Sequence, residues 1–414
     1  MRLLSASALS FANYLIVLTF IYLVTIACAL LWPRPALGMQ RFFIRRVERG
    51  GPLIIKLFQL ASIRSSAFPP SMARAVAALR DRTEAVSLEE LLGQSGSELP
   101  EALRNAKIDR HPVGSGAIGQ VHIAQLNRTR IALKLLRPAA VDQLKQQLAV
   151  LRTGANWFSK FASLASLPVK ESVEHLSTLF GDQLSLRQEA DNYRALRRNF
   201  LSVPFVKVPR VHEALSSDTC LALEAMDGLR PITEAIDTTN GRHVAAERVL
   251  NIVVKMIFWD GLIHCDLHPG NILLDTDGRI VLLDCGLVRS ISPATQQSFT
   301  EFFRAFVADD GERCARVVEA TAYARSRPDL EPAFRQAMRL HVSAAQTARA
   351  DGFNIGSFIR GVFALTARHG IRCSSEFTGV LLALCFADQV ITKLAPDFDF
   401  QARARRALGP SSVS

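Results

Sequence analysis

An aspartate at 266, an asparagine five residues later at 271, and a second aspartate at 284 closing the apolar run Val281-Leu282-Leu283 constrain this chain more than any other feature. The stretch reads His264-Cys265-Asp266-Leu267-His268-Pro269-Gly270-Asn271-Ile272-Leu273-Leu274 and resumes at Val281-Leu282-Leu283-Asp284-Cys285-Gly286. Such a set suits phosphoryl transfer. The transferred group carries dispersed negative charge, so a protein must hold Mg²⁺ with hard oxygen ligands and orient the nucleophile with a carboxylate. On this reading Asp266 lies in the catalytic loop, Asn271 binds a metal, and Asp284 binds the metal bridging the phosphates. The plain alternative is a polar turn with an Asn cap and a hairpin at Asp275–Arg279.

Upstream pieces follow in matching order. Gly114-Ser115-Gly116-Ala117-Ile118-Gly119-Gln120-Val121 fits a glycine-rich loop, where missing Cβ atoms let backbone N–H groups approach phosphate oxygens. Alone the pattern fits a dinucleotide fingerprint or a glycine turn equally well. Fifteen residues beyond Gly119, however, Lys134 closes Ile131-Ala132-Leu133-Lys134, a strand whose lysine would hold phosphates. A strand hairpin is also the wrong context for a dinucleotide turn, which must open a helix. Glu189, on a predicted helix, is the expected carboxylate partner of Lys134, with Asp191 as its rival. Glu224, ending the strand Leu221-Ala222-Leu223, falls where a backbone would meet adenine.

The net charge of +11 calls for an anionic partner: nucleotide phosphate, anionic lipid or nucleic acid. Basic and aromatic residues do not interleave, and only 4 Tyr and 3 Trp are present, which argues against nucleic acid. Seven scattered cysteines form neither a CxxC pair nor zinc spacing and read as buried thiols in a reducing compartment. Between Arg2 and Arg34 no residue is charged, and residues 11–32 suit a bilayer span with Tyr14, Tyr22 and Trp32 as interfacial residues. Arg34, Arg41, Arg45, Arg46, Arg49 and Lys56 follow it, against Arg2 before it, which puts the body of the chain in the cytoplasm. A cleaved signal peptide using Ala27-Cys28-Ala29 and a buried core helix stay open as rivals.

The pattern is helical from Gly51 to about Asn105, with caps expected at Ser71 and at Ser87-Leu88-Glu89-Glu90. Val121–Ala124 and Arg130–Leu135 read as strands joined by a turn at Asn127–Thr129. Residues 139–200 read as helical, Val206–Val211 and Cys220–Ala225 as strands. Helices dominate from there to about 395, apart from the catalytic stretch, and the tail from Gln401 is expected to be loose.

Taken together, the glycine loop, Lys134, the Asp260–Asn271 run and Gly278–Gly286 resemble the UbiB-like atypical kinases associated with coenzyme Q, over about residues 51–400. The resemblance implies an α+β, protein-kinase-like bilobal fold with a helical N-terminal extension, ATP and Mg²⁺ as cofactors, and membrane association. It also implies a role in isoprenoid-quinone or related lipid metabolism. The family's K-x-G-Q signature matches Lys56-Leu57-Phe58-Gln59, so Lys56 and Gln59 carry over as nucleotide-pocket residues while Phe58 replaces Gly. Its E-x-D signature aligns with Gln183-Leu184-Ser185, so both acids are missing, and Cys285 stands where kinases carry the Phe of D-F-G. The usual alanine-rich nucleotide loop has become a glycine pattern.

The expected organisation is a tail (1–10), a transmembrane helix (11–32), a basic and helical extension (33–110), an N-lobe (111–230), a C-lobe (231–400) and a flexible tail (401–414). The expected function is a single-pass, membrane-anchored kinase or ATPase. Its expected partners are the bilayer, quinone-pathway lipids and their biosynthetic enzymes, with no nucleic acid; a homodimer stays open. Three other readings compete: a small-molecule phosphotransferase of the aminoglycoside/choline kinase type, an ordinary protein kinase, and a nucleotide-binding scaffold without turnover. Against the protein kinase, no A-P-E segment follows Gly286.

Overall fold

A computed structural model describes residues 50–55, 85–93, 99–158, 184–325, 331–347 and 353–400, with single positions at 45, 47, 173, 177, 181, 402 and 403. Lys56, Gln59, Ser71, Gln183 and the 11–32 segment lie outside the described residues. The chain divides into two compact units, one comprising residues up to Asp191 plus Arg210–Ala225, the other Asn192–Pro209 plus Met226 onward.

The first unit is built on an antiparallel sheet. β1 (Lys107–Ile108), β2 (Gly114–Ser115), β3 (Gly119–Leu126) and β4 (Thr129–Leu136) come first in the chain. β5 (Val206–Lys207) belongs to the second unit, and β6 (Cys220–Glu224) returns to the first, giving the order β1-β3-β4-β6 with β2 on β3. Alternation along β4 sorts its side chains by face. Ile131, Leu133 and Leu135 are buried, and pack with Leu88 and Leu91 of helix α1 (Leu88–Gly93) and with Leu103. Burying such side chains contributes about 1.5–3 kcal/mol each. Ser87 caps α1, its hydroxyl accepting from the Glu90 amide at 3.1 Å. Gln120 joins this layer to the sheet: its side-chain amide exchanges two hydrogen bonds with the Val86 backbone, at 2.6 and 3.0 Å. The β3–β4 turn relies on Asn127, whose φ of 55° suits an asparagine. Helix α2 (Pro138–Phe158) leaves directly from β4.

Helix α3 (Leu186–Phe200) begins in the first unit, and its residues from Asn192 onward belong to the second. The second unit holds a small sheet in the order β5-β10-β9-β7, with β7 at Arg230–Pro231, and β9 (Ile272–Leu274) and β10 (Ile280–Leu282) joined as a hairpin. Between β7 and β9 run helix α4 (Thr239–Lys255), a π-helical turn Met256–Asp260 closed by Gly261 at φ 61°, and β8 (Leu262–His264). β8 pairs with β11 (Val288–Ser290). The Asp266–Asp284 stretch is therefore framed by two hairpin-like pairings, β8–β11 and β9–β10.

Helices α5 (Pro293–Val307), α6 (Gly311–Ala320), α7 (Glu331–Thr347), α8 (Ile355–Arg368) and α9 (Ser375–Leu394) complete the unit. Their core is aromatic: the rings of Phe299 and Phe377 stack at 4.5 Å, and Phe306 meets Phe358 at 4.6 Å. α9 is the one helix among the described residues that is long and apolar enough to cross a membrane, but most of it is buried within this unit, as a core helix would be.

Two expectations are corrected. The strand expected at Val206–Val211 is split: Val206–Lys207 pairs with β10 in the second unit, whereas Val211 bridges Leu223 in the first. The helical C-terminal part contains an unexpected strand pair, β12 (Ala322–Arg325) with β13 (Ile371–Cys373). Of the tail expected to be loose, the described residues are Ala402 and Arg403, which are helical, and the Arg403 guanidinium pairs with Glu247; the rest lies outside the described residues.

Candidate active site

In the first unit, the parity of β4 that buries Leu133 and Leu135 turns Lys134 to the opposite face. There Lys134 Nζ lies 2.8 Å from both carboxylate oxygens of Glu189 on α3. Glu189 is 2% exposed and Lys134 19%, so the pair is shielded enough to hold one geometry. Asp191, the rival partner, is exposed. The Ser185 hydroxyl accepts from the Gln188 amide at 3.1 Å and so caps α3.

The glycine motif is a β2–β3 hairpin. Gly116 N–H donates to Gly119 C=O at 2.9 Å, and Gly114 and Ser115 pair with Val121 and Gln120. A Cβ on Gly119 would meet the Leu135 carbonyl oxygen at 2.9 Å, so close strand packing demands that glycine. At Gly114 and Gly116 nothing stands closer than 3.9 and 3.6 Å, and Ala117 beside them is half-buried. Arg137, buried just past β4, donates to the Ser115 hydroxyl, while its amide donates to the Ile118 carbonyl at 2.9 Å. At Glu224 the amide donates to the Arg210 carbonyl at 2.8 Å, so the adenine-binding reading rests on its carbonyl.

In the second unit, His264 organises the loop after β8. Its Nε2 lies 3.0 Å from the Leu283 carbonyl, and its Nδ1 accepts from the Asp266 amide at 3.2 Å. These partners define the neutral Nε2–H tautomer. Burial lowers the His264 pKa, outweighing the Leu283 carbonyl and the Asp266 and Asp284 charges, which raise it. Asn271 Nδ2 donates to the Asp266 carbonyl at 2.9 Å, and the Leu283 amide donates to the Asn271 carbonyl at 3.0 Å. The second bond places Asn271 and Asp284 at the same end of the β9–β10 hairpin.

Asp266 is half-buried and Asp284 exposed. With its amide nitrogen committed to Asp266, the Asn271 side chain has its oxygen for a cation. Two hard oxygen donors, one from the Asn271 amide and one from the Asp284 carboxylate, with Asp266 as a second carboxylate on the preceding loop, fit Mg²⁺, which takes one or two carboxylates and completes its shell with phosphate oxygens and water. Among the described residues no three His, Cys, Asp or Glu side chains cluster to hold a metal by themselves.

Sequence reasoning missed the grip that α3 exerts on this loop. Tyr193 Oη accepts from the Asp284 amide at 2.9 Å, and Asn192 Nδ2 donates to the Cys285 carbonyl at 2.8 Å. Spacing carries no signal for it, since 91 residues separate Tyr193 from Asp284. Cys265 and Cys285, beside the two aspartates, are both buried, and burial pushes the Cys265 thiol up to about 12, which suits a packing role.

A lysine strand under a glycine hairpin, a helix carrying its glutamate, and a loop-and-hairpin with Asp, Asn and Asp define a mixed helix-and-sheet chain of the protein-kinase-like class. The Mycobacterium tuberculosis protein Rv3197, solved with erythromycin, is similar in fold, with a TM-score of 0.53 at 19% identity over 86% of this chain and 92% of that one. The ABC1 atypical kinase-like domain matches residues 78–318. A probable protein kinase UbiB from Marinobacter nauticus is 26% identical over 403 residues, covering 92% of this chain and 73% of the relative. The chain belongs to the ABC1 atypical kinase-like family as a UbiB-like member.

Proposed function

We propose that this chain is a membrane-anchored, UbiB-like phosphotransferase or ATPase that uses Mg-ATP in isoprenoid-quinone or related lipid metabolism. The carrying observation is the pairing of Asn271, its amide nitrogen held by the Asp266 carbonyl, with the exposed Asp284 at one end of a hairpin. In the first unit, Lys134 held by Glu189 would bind phosphate oxygens, and the Gly114–Val121 hairpin would cover them. In the second, Asn271 and Asp284 would hold Mg²⁺, and Asp266 would accept a proton from the acceptor or position it. The ion, when bound, supplies charge neutralisation on the phosphate oxygens. The uncharged 11–32 segment and the basic residues after it support anchoring to anionic membranes. The Marinobacter relative, named a probable protein kinase, supports phosphotransfer.

The test is ATP binding and turnover by the full chain, with and without Mg²⁺, anionic liposomes and phenolic quinone precursors. Mg²⁺-dependent ATP binding is expected, with turnover raised by liposomes and phenols; no Mg²⁺-dependent binding would sink the proposal. Ser185 as a helix cap, where the family has an acid, favours a second reading, a nucleotide-binding scaffold. In that case Asp266→Asn preserves function in cells while Asp284→Asn abolishes it; equal loss rules the scaffold out.

A further inference from the structure

Asp284 has φ 51° and ψ 65°, a left-handed conformation that costs a residue with a Cβ. Glycine would relieve the cost but would remove the carboxylate, so the surroundings must hold the backbone there. Four backbone groups around it are held. The Leu283 amide donates to Asn271 C=O, and the Leu283 carbonyl faces His264 Nε2. The Asp284 amide donates to Tyr193 Oη and the Cys285 carbonyl accepts from Asn192 Nδ2. Tyr193 is 2% exposed, so the phenol sits at a fixed depth. In D-F-G kinases the packing of the aromatic after the aspartate sets the state of this loop. Cys285, at that position, is small, and it is the polar grip from α3 that fixes the turn here.

We propose that Tyr193 is a positioning residue for the metal site: its hydroxyl holds Asp284 in the left-handed turn that aims the carboxylate at the nucleotide-bound divalent cation. The inference rests on the proposed function for its ligand. It predicts that loss of the hydroxyl weakens the cation's contribution to nucleotide binding and leaves metal-free nucleotide binding alone.

The experiment compares the full-length wild type with Tyr193→Phe in three measurements. These are the Mg²⁺ dependence of ATP binding, ATP affinity in EDTA, and hydrogen exchange of the backbone amides around Asp284. Expected for the variant are a roughly tenfold higher Mg²⁺ half-saturation, the scale of a lost buried hydrogen bond. ATP affinity in EDTA stays within about twofold, and exchange at the Asp284 amide is faster while the β9 and β10 amides keep their protection. An unchanged Mg²⁺ half-saturation overturns the proposal, as does an equal loss of affinity with and without metal, the mark of a merely structural tyrosine. If the wild type binds no Mg-nucleotide at all, the proposed function fails. The exchange measurement still decides the inference in that case, because unchanged exchange at Asp284 overturns it.

Discussion

His264 shows at residue scale how one buried side chain shapes the loop that carries Asp266. It spends both ring nitrogens on backbone, one on Leu283 and one on Asp266, and so links the segments that carry the two aspartates. Both bonds together require the neutral ring. Because the folded-state pKa is lowered by burial, the unfolded chain takes up a proton below the ordinary histidine value of about 6.5 that the folded chain refuses. Stability from this residue is therefore fully present above that pH and is lost as pH falls below it, by up to about 1.4 kcal/mol per pH unit. Denaturant titrations between pH 5 and 8 should show this decline, and His264→Asn should flatten it; identical slopes in both proteins would refute the assignment. The Lys134–Glu189 pair teaches a related lesson. Spacing alone left Glu189 and Asp191 as rivals, and only the burial of one face of α3 separates them.

At the scale of elements, the glycine hairpin divides its three glycines between packing and access. Gly119 lies against β4, where a methyl group would strike the Leu135 carbonyl oxygen, and Gly114 has open space. Gly119→Ala should cost about 1–3 kcal/mol through displaced backbone. Gly114→Ala should change stability by less than about 0.5 kcal/mol. Paired thermal melts settle it, and equal effects at the two positions would contradict the hairpin packing. The elements most legible in the sequence are those with strict alternation or clear turn residues, such as β3, β4 and the hairpin around Asp275–Arg279. Val206–Val211 was misread as one strand because alternation reports exposure and not the partner, and its two ends pair in different units. β12 and β13 were missed because each is short and finds its partner more than 40 residues away.

At the scale of the whole molecule, the cysteines among the described residues are buried, apart from the half-buried Cys373. Burial pushes the thiols of Cys220, Cys265, Cys314 and Cys373 up to about 12, so at neutral pH they are protonated and poor nucleophiles. Alkylation followed by mass spectrometry should label these four slowly in the native protein and rapidly after unfolding. Fast native labelling of Cys265 would contradict its burial beside Asp266. By itself the sequence determined the family, since its characteristic residues recur at particular spacings along loops and strands. The tertiary structure alone decided which carboxylate meets Lys134, that the Asn271 amide nitrogen is committed to the Asp266 carbonyl, and that Tyr193 grips Asp284. Those outcomes depend on which face of a helix is buried and on contacts between residues far apart in the chain, and local spacing encodes neither.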